Sequence, residues 1–404
     1  MRRPCLFFIF LALLSISKNL RSQTIAFASP VEISNGSVSG VTSLDAADFN
    51  LDGLLDVVVL EGGKHAEKPT FAWFEQKSQD NWIRHELGNM KQVDSFLGSA
   101  KCADMDTDGD MDIVFTSDNH IRGPIKVFIA ENPGGTAVYQ PWKLHVIATF
   151  EGFHANDMKI ADMDNDRRND VVIRHKNPNT LRILFQDSGK KWHIKSMNTE
   201  NLGLEGFAIG NLNRDATLDI AINGYWFKGP SEPRKGEYKL FSIDTIFTTI
   251  NGNTKEDIGD INADGRNDIL ISPAEDYYNG KDHVLAWYQA PENPEITGDW
   301  IQHIVRKNYN RGHAVKLADM DNDGDLDIVS GQAWPPMRIT VYLNNNGDFS
   351  QTYPVIQGKG IYSGSIKDMD NDGDIDIVGE ETYSQNSKPW YYENLLLPYK
   401  KRVE

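Results

Sequence analysis

The densest chemistry in this chain of 404 residues is an acidic nonapeptide that occurs seven times. Its copies begin at Asp48, Asp104, Asp162, Asn211, Asp260, Asp319 and Asp368, separated by 56, 58, 49, 49, 59 and 49 residues. Side-chain oxygens recur at positions one, three, five and nine. A glycine marks position six in five copies, as Gly53, Gly109, Gly265, Gly324 and Gly373. Such oxygen sets suit a hard cation, and Ca2+ takes six to eight of them, backbone carbonyl and water included. Thiol and imidazole, which borderline metals prefer, are missing from these positions. The expected calcium ligands are Asp48, Asn50, Asp52 and Asp56; Asp104, Asp106, Asp108 and Asp112; Asp162, Asp164, Asp166 and Asp170; Asp260, Asn262, Asp264 and Asp268; Asp319, Asp321, Asp323 and Asp327; and Asp368, Asp370, Asp372 and Asp376. The third copy has Arg167 and Arg168 where others have glycine and its neighbour. The fourth, with Asn211, Asn213, Asp215 and Asp219, has two carboxylates and is left out of the ligand set.

These loops are not EF-hands. An EF-hand ends on a bidentate Glu at position twelve, and here that position is Val59, Phe115, Ile173, Ile222, Ile271, Ser330 and Gly379. Each loop runs into a β-branched segment such as Val171, Val172 and Ile173, which predicts a strand rather than a helix. Stepping outward, each unit shows four strand signals, for example 158–161, 171–173, 181–185 and, ending the preceding unit, 142–147. Four strands per repeat of this length is a propeller pattern. The seventh unit stops after its third strand, 390–394, while 25–33 carries one strand without a unit. The expected fold is all-β: a seven-bladed β-propeller with the acidic loop between strands one and two, closed by the N-terminal strand. The nonapeptides and their flanks resemble the FG-GAP/VCBS repeat family, which implies this fold and calcium binding but no one function.

Repetition separates structure from function. A Trp-x-x-His pattern recurs in fourth strands (Trp82 with His85, Trp142 with His145, Trp300 with His303) and predicts packing. Unrepeated residues are the candidates. Because the acidic loop joins strands one and two, residues just before strand one and just after strand two gather at the opposite mouth of the channel, where concave sites form. These are His154, Asn156, Arg174 and His175 in unit three, Tyr225 and Trp226 in unit four, and Tyr278 in unit five. Arg311, His313 and Trp334 in unit six and Tyr362 in unit seven complete them. Arg234 lies in a polar segment, Lys228 to Lys239, long enough to form a flap. Lys159, in register with Lys101 and Lys316, is placed along the channel.

A His base, a Tyr acid and a cation that neutralises a carboxylate are the minimum set for β-elimination from a uronic acid. His154, His175, Tyr225 and Arg174 are the expected catalytic set. Asn156, Lys159, Trp226, Arg234, Tyr278, Arg311, His313, Trp334 and Tyr362 are the expected substrate contacts. The spacing of His154, His175 and Tyr225 resembles the propeller-type polysaccharide lyases that cleave ulvan, which implies a carbon–oxygen lyase or dehydratase acting on an acidic poly- or oligosaccharide. The alternative is a non-catalytic glycan- or protein-binding propeller. A transition-metal hydrolase is disfavoured because no zinc-type spacing occurs at the mouth.

Composition bounds the rest. The apolar fraction is 40% and the formal net charge −17, with no basic cluster of the kind that grips nucleic acid. Arg2 and Arg3 followed by the apolar run Leu6 to Leu14 read as a secretory signal ending near Gln23, too short to span a membrane. The propeller is then 24–404, a secreted or periplasmic monomer. One cysteine, Cys102, remains in it, so no disulfide braces the fold.

Overall fold

The structure is a computed structural model that describes residues 25–396, except 39, 63–69, 89–90, 95, 120–122, 156, 245–246, 248–252, 276–282, 297 and 383. Its sheets are seven four-stranded antiparallel blades. The innermost strands are Val41–Ala47, Phe96–Ala103, Asp157–Ala161, Ala208–Gly210, Thr254–Gly259, Gly312–Ala318 and Gly364–Lys367. Each blade but the last is consecutive in sequence. In blade 7 the outermost strand is Val31–Glu32, paired with Pro389–Tyr392 through Val31–Tyr391 and Glu32–Trp390. The N-terminal closure expected from the orphan strand is therefore present.

Why second strands read as unbroken apolar runs follows from this packing. Asp56–Glu61, Asp112–Asp118 and Asp170–His175 are buried almost throughout, because each blade is covered on both faces by its neighbours. Outer strands such as Lys191–Asn198 are largely exposed. The buried side chains form seven clusters among the described residues, one at each blade interface; blades 1 and 7 share Val41, Leu44, Val57, Met369 and Tyr391.

Position nine of each nonapeptide does a second job. Asp56, Asp112, Asp170, Asp219, Asp268, Asp327 and Asp376 are 0–1% exposed. Each accepts the amide of loop position two on one oxygen and an amide at or just past the end of strand three on the other. In blade 2 these donors are Met105 and Asn132, at 2.9 and 2.8 Å. In blade 4 they are Leu212 and Gly229, both at 2.8 Å. The residue that gives this second amide also ties its blade to the previous one in five blades. Asn132 Nδ2 donates to Phe49 O at 3.0 Å, Asn344 Nδ2 to Ile261 O at 2.7 Å, Asn394 Nδ2 to Met320 O at 3.0 Å and Gln186 Nε2 to Met105 O at 2.7 Å. Gln76, with its amide turned to satisfy its neighbours, donates to Met369 O at 3.0 Å. Blades 4 and 5 have Gly229 and Ala290 there and lack this tie.

The fourth-strand histidines pack as their recurrence implies. His85 stacks on Trp73 with centroids 4.4 Å apart, and His303 on Trp287 at 4.1 Å.

Candidate functional site

The channel is the frame of the site. Its cavity of about 110 Å³ is lined by all seven innermost strands or the turns that lead into them, and Lys101, Lys159, Lys255 and Lys316 face it. Carboxylates of other blades hold most of these amines. Lys316 Nζ is 3.3 Å from Asp257, Lys101 Nζ 3.8 Å from Asp45, and Lys255 Nζ 2.7 Å from Asp157. Lys159 has no ion pair among the described residues. The ammonium of Lys316, and then burial, pull its amine down to about 7.

At the mouth opposite the acidic loops, one carboxylate organises the charges. Glu205 is 2% exposed. Lys176 Nζ lies 2.5 Å from its Oε1 and His154 Nε2 4.0 Å from the same oxygen. Lys255 Nζ and His313 Nε2 each lie 3.4 Å from Oε2. Against the cost of burial, Lys255 and Lys176 hold this carboxyl well below its usual range. The 202–206 turn that presents it is clamped by Arg174, whose Nη1 donates to the carbonyls of Glu205 and Gly206 at 2.7 and 2.6 Å. Its Nη2 donates to those of Leu202 and Gly203, both at 2.7 Å. Gly206 permits the close approach: its φ is +82°, and a Cβ there would lie 1.8 Å from Thr254 O.

His313 is the other fixed point, 4% exposed. Its Nδ1 lies 2.7 Å from Tyr362 O, its ring stacks on Tyr362 at 3.7 Å, and Trp334 meets both rings edge-on. The Nδ1 contact, with a backbone carbonyl as acceptor, assigns the ring proton to Nδ1 and leaves Nε2 as a lone pair. Nε2 makes no hydrogen bond. Burial, and next Lys255, lower the basicity of this imidazole. A Glu275 oxygen lies within 4.8 Å of both Glu205 and His313, and burial followed by the Glu205 charge raises the Glu275 carboxyl to about 7. These three groups are close enough to hold a metal, but Lys176 and Lys255 already neutralise Glu205.

The expected mouth residues divide. His154, Lys159, His313, Trp334 and Tyr362 border the channel or its mouth. Arg311 stands before the same strand as His313 and donates to Pro335 O. His175 is 1% exposed, accepts from Arg182 Nε at 3.2 Å and tilts against Phe150; burial, then Arg182, press it down to about 4. Its environment is separate from that of His154, which stacks on Phe96. All four donors of Arg174 named above are spent on backbone carbonyls. Tyr225 packs into the core between blades 3 and 4, and Trp226 is fully buried between blades 4 and 5. They follow a two-residue Asn223–Gly224 turn with positive φ at both positions, so they open strand three, Tyr225–Lys228. The segment after that strand therefore lies on the acidic-loop face, and Arg234 with it: its Nη2 is 3.0 Å from Asp166. The expected flap and the substrate role of Arg234 at the mouth are thus displaced to the opposite face. Asn156 and Tyr278 lie outside the described residues, as does the expected leader 1–23.

The acidic loops pass a geometric test for a cation. Carboxylate oxygens of positions one, three and nine approach within 4.8 Å in blades 3, 6 and 7, and those of one, three and five do so in blade 2. Buried oxygens Asp106 Oδ1 and Asp164 Oδ1 have no hydrogen-bond donor. Burial and the facing loop carboxylates raise the position-nine acids, Asp112 to about 7 and Asp376 to about 9, a repulsion that a bound cation relieves.

Sequence reasoning missed Glu205, Glu275, Lys176 and Lys255. Glu205 and Glu275 do stand at unrepeated positions near strand starts or ends, the signal that found His154.

Comparison with known proteins adds the repeat type. Residues 260–330 and 319–379 match the family described as FG-GAP-like repeat, so the chain carries such repeats. No curated protein matches. Among solved structures, the V. cholerae biofilm matrix protein Bap1 is similar at 11% identity and a TM-score of 0.48, over 92% of this chain and 88% of that one.

Proposed function

We propose that this propeller of FG-GAP-like repeats is a secreted, calcium-braced module that takes an acidic glycan into the mouth of its channel. Charge segregation carries the proposal. The chain bears a net −17, yet Lys101, Lys159, Lys255 and Lys316 line the cavity, and Lys159 has no carboxylate partner among the described residues. The carboxylates beside the other three lysines already balance them, so an anion would complete the set at Lys159. Trp334 and Tyr362 offer aromatic surface beside it for a sugar ring. The small cavity suits the carboxylate end of one residue, with the rest of the glycan outside. Asp and Asn oxygens of the acidic loops would hold calcium, most strongly in blades 2, 6 and 7, where position seven adds Asp110, Asp325 and Asp374 to the charge. The test is calorimetric titration with alginate, pectin, ulvan and glycosaminoglycan oligomers against neutral glucans. Acidic oligomers alone should bind, and Lys159→Met should weaken them at least tenfold. Equal binding of neutral glucans overturns the proposal.

One observation favours catalysis as a second reading: His313, whose basicity burial lowers, lies within 4.8 Å of the Glu275 carboxyl, raised to about 7, so an imidazole base stands beside a carboxyl that can carry a proton. His313 Nε2 would take the C5 proton of a uronate whose carboxylate faces the lysines, and the protonated Glu275 would donate to the departing oxygen. His313 thereby replaces His154 and His175 as the expected base. An unsaturated-uronate absorbance that His313→Ala and Glu275→Gln abolish supports this; no absorbance with any acidic glycan leaves binding alone.

A further inference from the structure

The acidic loop of blade 3 meets a cation that belongs to the chain itself. Its turn is intact: Arg167 replaces the usual glycine at φ +69°, and its amide still donates to Asp162 Oδ2 at 2.8 Å. Asp162, Asp164 and Asp170 converge as their counterparts in blades 6 and 7 do. The difference is Arg234, reaching over from the segment between strands three and four of blade 4. Its Nε donates to Asp164, its Nη1 to Asp187, and its Nη2 to Asp166 and to the carbonyl of Gln186, both at 3.0 Å. Its guanidinium also lies 5.3 Å from the Phe185 ring centroid. Arg168, inside the loop, donates to Asp166 as well.

The position of Arg234 matters as much as its charge. Five blades are tied to their predecessor by an Asn or Gln amide at the end of strand three. In blade 4 that residue is Gly229, which has no side chain to offer. The chain continues from Gly229 directly into the segment that carries Arg234 onto blade 3.

We infer that Arg234 is a built-in substitute for calcium in blade 3: a guanidinium that neutralises the acidic loop and replaces the missing amide tie between blades 3 and 4. Asp164 through Oδ2 and Asp166 through both oxygens, the ligands of positions three and five, are engaged by fixed donors, so a divalent ion reaching Asp164 Oδ1 meets a loop already neutralised and a neighbouring positive charge. Closure of blade 3 is then independent of metal, whereas blades 2, 6 and 7, with five loop aspartates each, depend on it. The inference rests on the calcium reading of those three blades, and the test separates the two.

The experiment compares wild type, Arg234→Gln, Arg234→Lys, Asp164→Asn and Asp321→Asn. Each full chain is equilibrated with CaCl2, desalted and assayed for bound calcium by plasma mass spectrometry, and melted in EDTA. Asp321→Asn should lose one calcium per chain. Asp164→Asn should lose none, and Arg234→Gln should gain one, while Arg234→Lys, which keeps the charge, gains none. In EDTA, Arg234→Gln should melt about 2 °C or more below wild type. Loss of a calcium in Asp164→Asn, with Arg234 intact, overturns the inference. If Asp321→Asn loses no calcium, the calcium reading fails; the EDTA melt then decides, because an unchanged midpoint for Arg234→Gln removes the metal-independent tie.

Discussion

At the scale of single residues, the mouth separates side chains that face a ligand from those that hold them in place. Arg174 belongs to the second kind. Its guanidinium, 1% exposed, donates to the turn carbonyls of Leu202, Glu205 and Gly206, and it fixes where the Glu205 carboxylate points. Replacement by Met strands those carbonyls, at a cost of roughly 3–5 kcal/mol. Urea denaturation should therefore show a large loss, with glycan binding lost alongside it. His175 sets a pH dependence. Its folded acidity, about 4, lies below the ordinary value of 6.5, so between these pH values the unfolded chain holds a proton that the folded one refuses. Stability is complete above pH 6.5 and falls as pH drops toward 4. His175→Gln keeps an acceptor for Arg182 and removes the titration. Melts from pH 7 to 4 should show a shallower decline for that variant, and parallel curves would place the acid sensitivity elsewhere. Of the mouth, His313, Tyr362 and Trp334 were legible as unrepeated residues beside strand ends. Glu205 stands at such a position too, but its importance comes from four partners in four separate segments, at 154, 176, 255 and 313, and no local pattern announces that convergence.

At the scale of elements, the invariant aspartate at position nine explains why seven loops of unequal acidity share one shape. Charge count varies between the nonapeptides, but both oxygens of this residue always close the loop onto strand three through two amides. In blade 4, where Asn211 and Asn213 leave little to attract a cation, the clasp of Asp219 on Leu212 and Gly229 remains at 2.8 Å. Asn at 219 would keep one acceptor and turn an NH2 against a buried amide, costing about 1–3 kcal/mol. Asp219→Asn should lower the melting midpoint equally in calcium and in EDTA, unlike a loop substitution that acts through metal. A loss confined to calcium buffer would show that blade 4 binds an ion after all. The loop and its flanking strands were readable because β-branched runs and Asp/Gly spacing are local properties. The Asn223–Gly224 hairpin was misassigned for a physical reason. A two-residue turn leaves no loop at the mouth, so Tyr225 and Trp226, expected just after strand two, already open strand three, and the segment expected as a mouth flap lies on the opposite face.

At the scale of the whole molecule, the ring has one seam, and its strength is concentrated in few groups. Closure pairs two residues of the N-terminal strand with Trp390 and Tyr391, extended by Ala28 N to Glu393 O at 2.9 Å and Ile33 N to Pro389 O at 3.1 Å. Apolar burial reinforces those bonds from both sides. Ile33 packs into the interface of blades 7 and 1, and Ile25 into that of blades 6 and 7, each 1% exposed. The seam was legible as an arithmetic match between one missing strand and one orphan strand. A chain beginning at Ser34 would lose both isoleucines and leave Pro389–Tyr392 as an open edge beside an uncovered apolar face, a template for pairing between molecules. If calcium fills the loops of blades 6 and 7, which lie on either side of their shared interface, it would still brace them, so the truncated ring should remain folded in calcium and collapse at lower temperature than the full one. Chelation should then act more severely on the truncated chain than on the intact one, because seam and loops support the same pair of blades and their losses couple. Melting midpoints of the full and truncated chains, each in calcium and in EDTA, form a double-perturbation cycle that measures this. A truncation penalty identical in the two buffers would show that closure and loop filling stabilise the ring independently.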